Sequence, residues 1–317
     1  MFAYNLYRLG AFLALRLNLP TARRLAAAVG RLACVLQRRN RRYLHRNLEA
    51  AFGGTMSRAQ LRRLRLTIFA NFAVFVADFL KFPEITRANL GKWLTDRSFA
   101  QLGKIPDLAG RKPVVLLTAH LGNWELGAAA VGLMGHSLTV LADVHPNVLV
   151  TQFFNNRRKS KGLSVVPVTE FHRCLRALKT GSMVAIVGDR PVTGHGVSAQ
   201  FFGRPTLVPD GYAVLARRFG AVIVPSFLLR TDSGLYDFVL DEPIVPRVTE
   251  DEEADVRECV ERCLRVVERY VTAHPEQWYV FRPIWEEQSA LRDRRAARGR
   301  RALGTAAPRP TAAGGAK

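Results

Sequence analysis

From Pro113 onward the chain alternates between short, fully apolar runs and longer amphipathic stretches. PVVLLTAH (113–120), SLTVLAD (137–143), LSVVPV (163–168), SMVAIVGD (182–189), AVIVPSFLLR (221–230) and LYDFVL (235–240) have the length and β-branched content of strands. Between them, 123–134, 147–159, 170–180 and 209–220 carry apolar residues at helical spacing, and a long helical pattern covers 251–273. Strands that are apolar on both faces and separated by helices predict an α/β fold with a mainly parallel central sheet flanked by helices. HPEQWYVFRPIW (274–285) closes this body, either lining an apolar slot or packing in the core.

The first 82 residues read differently, as an N-terminal helical segment. Phe2, Leu6, Leu9, Leu13 and Leu17 recur at helical spacing, which suits either a core-packing helix or one lying at a membrane interface. The longest charge-free piece after Arg8, Leu9–Leu15, is far short of the ~20 residues that span a bilayer. After Pro20 the helical pattern continues into a basic cluster at Arg38, Arg39, Arg41, Arg42, His45 and Arg46. Residues 57–82 predict a further helix, stopped by Pro83. The expected organisation is thus a helical region at 1–82, an α/β core at 83–290, and a basic, disordered Arg/Ala/Gly/Pro tail at 291–317.

Composition changes this picture only through charge. With 317 residues and 48% apolar content the chain is an ordinary globular protein. Yet 47 Lys+Arg against 26 Asp+Glu gives +21, which calls for an anionic partner. The excess is confined to the ends, because residues 1–65 alone hold 14 Arg and one Glu. Basic groups beside an apolar helix suit anionic lipid headgroups; a nucleic-acid binder is the rival reading, though no nucleic-acid module is recognisable. A catalytically idle scaffold is the other rival. Cys34, Cys174, Cys259 and Cys263 lack zinc-ligand spacing and read as ordinary thiols of a reduced, cytosol-facing chain. No secretory signal is visible.

The sharpest chemical feature is TAHLGNWE (118–125). His120 falls at the C-terminal end of a predicted strand, where open α/β sheets place their ligand sites. Glu125 opens the next helix, and a turn can bring its carboxylate to the imidazole as an orienting partner. No GxSxG elbow or activated cysteine supplies a nucleophile, so the pair suits activation of a substrate hydroxyl. Asp189 and Arg190 also follow a predicted strand; Arg190 can grip a phosphate or carboxylate, or pair locally with Asp189. Asn155, Arg157, Arg158, Lys159 and Lys161 end a helix as a solvated turn or as a basic rim for an acidic headgroup. Gly194-His195-Gly196 opens no helix and is no dinucleotide fingerprint, and no Walker A sequence is present.

Together, the basic lead into RNLEAAF, the HxxxxE motif His120–Glu125, the GDR…FFGRP block and the late HPEQW resemble the lysophospholipid acyltransferase superfamily. The nearer branch is the lipid A biosynthesis acyltransferases, related to the phosphatidylinositol mannoside acyltransferases. The resemblance implies an O-acyltransferase with His120 as general base and Glu125 as its partner. It implies substrate-binding positions at Asn123, Asn155, Arg157, Arg158, Asp189 and Arg190. The donor it implies is acyl-acyl carrier protein or acyl-CoA, with no metal or other cofactor and no nucleic acid. The implied acceptor is a glycolipid or lysolipid, reached from an anionic surface at the cytoplasmic face of the inner membrane. Backbone amides in the turn after His120 are the expected oxyanion donors.

Overall fold

Four helices form the N-terminal region: α1 (Phe2–Arg16), α2 (Leu19–Leu36), α3 (Arg38–Phe52) and α4 (Arg58–Leu80). Asn18 starts α2 by accepting the Thr21 amide at 3.0 Å, with Pro20 in the first turn. Ser57 and Gln60 start α4 through a reciprocal capping box. Ala22, Gly30 and Cys34 make the buried stripe of α2. At Gly30 a Cβ would lie 2.4 Å from the Phe69 carbonyl oxygen, so glycine lets α2 and α4 pack backbone to backbone.

The computed structural model describes residues 2–109, 112–190 and 196–285, which fall in one compact unit. The Gly194-His195 run and the tail at 291–317 lie outside the described residues. After two 3₁₀ turns come α5 (Asp96–Leu102), α6 (Ile105–Ala109) and the α/β body. In chain order this comprises β1 (Val114–Thr118), α7 (Trp124–Leu133), β2 (Leu138–Ala142), α8 (Val148–Lys159), β3 (Leu163–Pro167), α9 (His172–Lys179) and β4 (Met183–Val187). Then follow β5 (Val197–Phe201), β6 (Arg204–Val208), α10 (Gly211–Phe219), β7 (Val222–Arg230), β8 (Tyr236–Leu240) and α11 (Glu252–Ala273).

The main sheet runs β3-β2-β4-β1-β7-β8, parallel except for β8, as the alternation of strands and helices predicted. Side chains alternate across it. Val115, Leu117, Val184 and Ile186 join Tyr212 of α10 and Val260 of α11 in one cluster, and Leu116 and Leu138 join Leu126 and Ala129 of α7 in another. Phe69 and Phe75 of α4 belong to the first cluster, so the N-terminal helices share the core of the α/β body.

A buried polar network strengthens that join. Fully buried Asp78 of α4 accepts two bonds from Arg23 of α2, at 2.8 and 2.9 Å, and one from the Tyr236 hydroxyl of β8 at 2.5 Å. A buried carboxylate met by a forked guanidinium and a phenol has its charge and lone pairs matched.

The GDR…FFGRP block contains a hairpin, β5–β6, that its pattern does not announce. Its two-residue turn has φ of 50° at Phe202 and 66° at Gly203. Asn-Gly is the usual sequence for such a turn. Phe202 stands there because its ring packs against Phe52 and Trp278 and its amide donates to Glu268.

Candidate active site

β1 and β4 are neighbours in register, with Thr118 opposite Val187. Two residues beyond each strand end stand His120 and Asp189, so the sheet itself sets the two side chains together. His120 Nδ1 lies 2.6 Å from Asp189 Oδ1, and the other carboxylate oxygen accepts from the His120 amide at 3.1 Å and from Trp278 Nε1 at 3.0 Å. Asp189 is fully buried. Burial pushes its carboxyl up, but His120, Trp278 and Arg190 outweigh this and hold it below the ordinary carboxylate value. An ionised Asp189 requires Nδ1 to carry the imidazole proton, which leaves the Nε2 lone pair available. Arg190 Nε donates to Nε2 at 3.1 Å.

Glu125 is not the partner of His120 in this arrangement. It stands in the first turn of α7 and faces the last turn of α8, where Arg158 binds both its oxygens at 2.5 and 2.9 Å. Arg158 also donates to Asn155 Oδ1 at 3.0 Å. The expected His120–Glu125 contact is therefore replaced by two pairs, His120–Asp189 and Glu125–Arg158. The spacing of HxxxxE is met by a sharp turn and a helix start, which send the two side chains to different partners.

His120, Trp124, Glu125, Arg158 and Arg190 line one cavity of about 220 Å³, with Asp189 buried behind His120. Thr118, Trp124, Ala128 and Ala185 also line a small void of about 30 Å³ between the sheet and α7, together with Leu116, Gly127 and Leu138. The Thr118 Oγ1 atom is buried and has no hydrogen-bond partner among the described residues.

Asn123 has a different place from the one the resemblance implies. It is buried, caps α7 by accepting the Leu126 amide at 3.0 Å, and reaches the Tyr236 hydroxyl at 3.4 Å. Asn155 reaches the site only through Arg158. Arg157 lies over the Phe153 ring, 3.6 Å from its centroid. Trp278 is the participant that sequence reading missed; its only signal was the position of HPEQW near the chain's end.

That late segment is a strap for the His120 turn. The Tyr279 amide donates to the His120 carbonyl at 2.7 Å, and the Gly122 amide to the Gln277 carbonyl at 2.9 Å. The Asn123 amide donates to the Leu228 carbonyl at 2.7 Å. The Gly122 and Asn123 amides are thus engaged within the protein and are not free to serve as oxyanion donors. The guanidinium groups of Arg158 and Arg190 are the cationic donors bordering the cavity. HPEQWYVFRPIW is mostly core rather than slot, with Trp278 and Val280 fully buried.

Gly122 permits the turn. Its φ is +65°, and a Cβ would meet the Leu228 carbonyl oxygen at 2.0 Å, a backbone atom held in β7. Gly122→Ala is expected to lower stability by roughly 2–4 kcal/mol. Urea unfolding followed by tryptophan fluorescence checks this, since Trp124 and Trp278 flank the turn.

The four cysteines are free and buried. Burial pushes the Cys174 thiol up to about 11, and its contact with Cys259, then burial, raise Cys263. Neither is a thiolate nucleophile at neutral pH. Among the described residues, no group of three or more His, Cys, Asp or Glu side chains has the clustering of a metal site.

The family model for bacterial lipid A biosynthesis acyltransferases matches residues 3–287. The chain is 28% identical to the phosphatidylinositol mannoside acyltransferase of Mycobacterium tuberculosis (strain ATCC 25618 / H37Rv), over 66% of this chain and 66% of that protein's length. It is 26% identical to the protein of the same name from Mycolicibacterium smegmatis, over 76% of this chain and 78% of the relative. Against the lipid A biosynthesis lauroyltransferase of Escherichia coli K12 identity is 24%, over 83% of this chain and 87% of the relative. A match across nearly the whole described body, through the strand ends that carry His120 and Asp189, shows that this chain belongs to the bacterial lipid A biosynthesis acyltransferase family.

Proposed function

We propose that the protein moves a fatty acyl group from a thioester of acyl carrier protein or coenzyme A to a hydroxyl of a glycolipid, with His120 as general base. The acceptor is of the phosphatidylinositol mannoside or lipid A type that the relatives' names carry. The observation that carries this reading is the His120–Asp189 pair, which fixes the proton on Nδ1 and leaves Nε2 as the basic atom.

In this scheme the acceptor hydroxyl displaces the Arg190 Nε–H from Nε2 and gives its proton to that nitrogen. Its oxygen bonds to the thioester carbonyl carbon. The tetrahedral intermediate collapses by breaking the carbon–sulfur bond, and the His120 imidazolium returns the proton to the leaving thiolate. Asp189 stabilises the transient imidazolium, and Arg158 and Arg190 supply positive charge where oxyanion and phosphate would lie.

Attachment to the membrane follows the same chemistry. Among the described residues no helix is long and apolar enough to cross a bilayer. Instead, α1 and α2 expose large apolar side chains, with Leu6 60%, Phe12 54%, Leu32 57% and Leu36 69% exposed. Arginines 8, 16, 24, 31, 38 and 39 stand among them. An apolar face fringed by Arg supports interfacial binding to anionic lipid, whereas a nucleic-acid surface needs no exposed leucines.

The test is a comparison of membrane lipids by mass spectrometry from cells expressing wild type or His120→Ala at equal protein level. A species heavier by one acyl group, formed only with wild type, is expected and would identify the acceptor. Identical profiles, with donor and acceptor shown to be present, would remove the base assignment.

A further inference from the structure

A second cavity, of about 430 Å³, lies apart from His120, between α1 and α2 and over α4, and opens to the surface. Its walls include Leu6 and Leu13 of α1, Ala26 and Val29 of α2, and Ala73 and Val76 of α4. The lining is mostly apolar, with the Tyr7 hydroxyl on α1 and the side chains of Gln37 and Asn40 at the α2–α3 junction as its polar groups. There the chain presents Arg38, Arg39 and Arg42, all exposed and without a carboxylate partner among the described residues. From Leu25 to Gln37 the groove follows α2 for roughly 18 Å, on the scale of an extended fatty chain.

Two features connect the groove with the site. Phe72 lines it and stacks on Phe75 at 5.7 Å; Phe75 lies 4.3 Å from Trp124, which stands edge-on to His120 at 5.3 Å. Phe281 also lines it, and the next residue is Arg282. Arg190 titrates below the usual guanidinium range, first through burial, and the charge of Arg282 adds to this.

We propose that this groove holds one fatty chain of the anionic acceptor lipid, with its phosphate among Arg38, Arg39 and Arg42 and its hydroxyls toward His120. The identity of that lipid as acceptor rests on the acyltransferase reading; its presence in the groove does not. The groove opens among the exposed leucines of α1 and α2, the face proposed to meet the membrane, which favours a chain of a membrane lipid over one carried by a soluble donor. Residues 286–317 contribute only two large aliphatic side chains, Leu291 and Leu303, too few to fill it. A single chain with an anionic head matches both the apolar wall and the arginine end.

The test uses phosphatidylinositol bearing a diazirine midway along one acyl chain, in phosphatidylcholine–phosphatidylglycerol vesicles with the full-length protein. After irradiation, labelled residues are mapped by peptide mass spectrometry. Wild type is expected to carry label on Leu13, Ala73 or Val76. Ala73→Leu and Ala26→Leu fill the groove from opposite walls, and each is expected to cut that labelling about tenfold, the loss of a few methylene contacts. Circular dichroism melts confirm that each variant folds; two independent walls make a shared loss of labelling hard to ascribe to misfolding.

Label confined to the outward Leu32 and Leu36, unchanged by either variant, overturns the proposal. So does a dimeric mass in light scattering with the groove unlabelled, which would make a second copy the occupant. Acyl transfer is measured on the same preparations with palmitoyl-coenzyme A and a phosphatidylinositol mannoside added. If groove labelling is present but no transfer occurs, the lipid site stands and the acyltransferase reading fails. Transfer with an unlabelled groove is the reverse outcome.

Discussion

Asp189→Asn is expected to lower acyl transfer on the order of 10³–10⁴-fold while leaving the fold in place. The carboxylate accepts three donors: the His120 amide and Trp278 Nε1 on one oxygen, and His120 Nδ1 on the other. An asparagine keeps its carbonyl oxygen toward the two donors that cannot change, the amide and the indole. Its NH₂ then faces Nδ1, which must become an acceptor, and the imidazole proton moves to Nε2. A protonated Nε2 cannot take a proton from a hydroxyl. Steady-state transfer rates check this, with ¹⁵N NMR of the imidazole reporting the tautomer directly.

The same substitution has a pH signature. The folded-state pKa of Asp189 lies below its unfolded value, so its stabilising contribution is fully present above the ordinary carboxylate pKa of about 3.9. It is lost as pH falls from there through the lower folded value. The stability difference between wild type and Asp189→Asn should therefore be constant near neutrality and shrink only below about pH 4. Chemical unfolding across that range measures it.

Arg158→Met carries the second large effect. Its side chain and that of Glu125 are only 14% and 10% exposed, so removing the guanidinium strands a nearly buried carboxylate. A cost of roughly 3 kcal/mol is expected. Adding Glu125→Leu removes the stranded charge and should recover most of the stability, because a buried ion pair replaced by apolar residues of similar size is often close to neutral. Activity should not recover, because Arg158 also borders the cavity as a cationic donor. Urea denaturation and transfer rates on the single and double variants separate the two roles. Recovery of both would leave the pair a purely structural one.

The two pairs also mark how far linear pattern reading reaches. Every strand from β1 to β4, together with β7 and β8, was legible, because an apolar run bounded by turn residues has few other ways to bury itself. The helices between them were legible for the same reason. The β5–β6 hairpin was not, since Phe202 takes a turn position that Asn or Gly usually announces, and is held there by distant rings. The N-terminal helices were expected as a region of their own, yet Asp78, through Tyr236 of β8, and Phe75 bind them into the common core.

His120 was found from sequence because a histidine at the C-terminal end of a buried strand is placed by local geometry alone. Arg190 was read as a basic group at that edge, and Arg158 as one of the basic groups ending a helix. The partner of His120 was not found, although Asp189 stood among the named residues. Glu125 is five residues away along the chain, and Asp189 is 69. Only the strand order decides between them: β4 lies beside β1 in the sheet, so the residues just past their ends meet, while α7 turns Glu125 toward α8. Local sequence specifies an element by its own propensity and periodicity. Which element lies beside which is set by the packing of the whole core, and the charge pairs of the site follow from that.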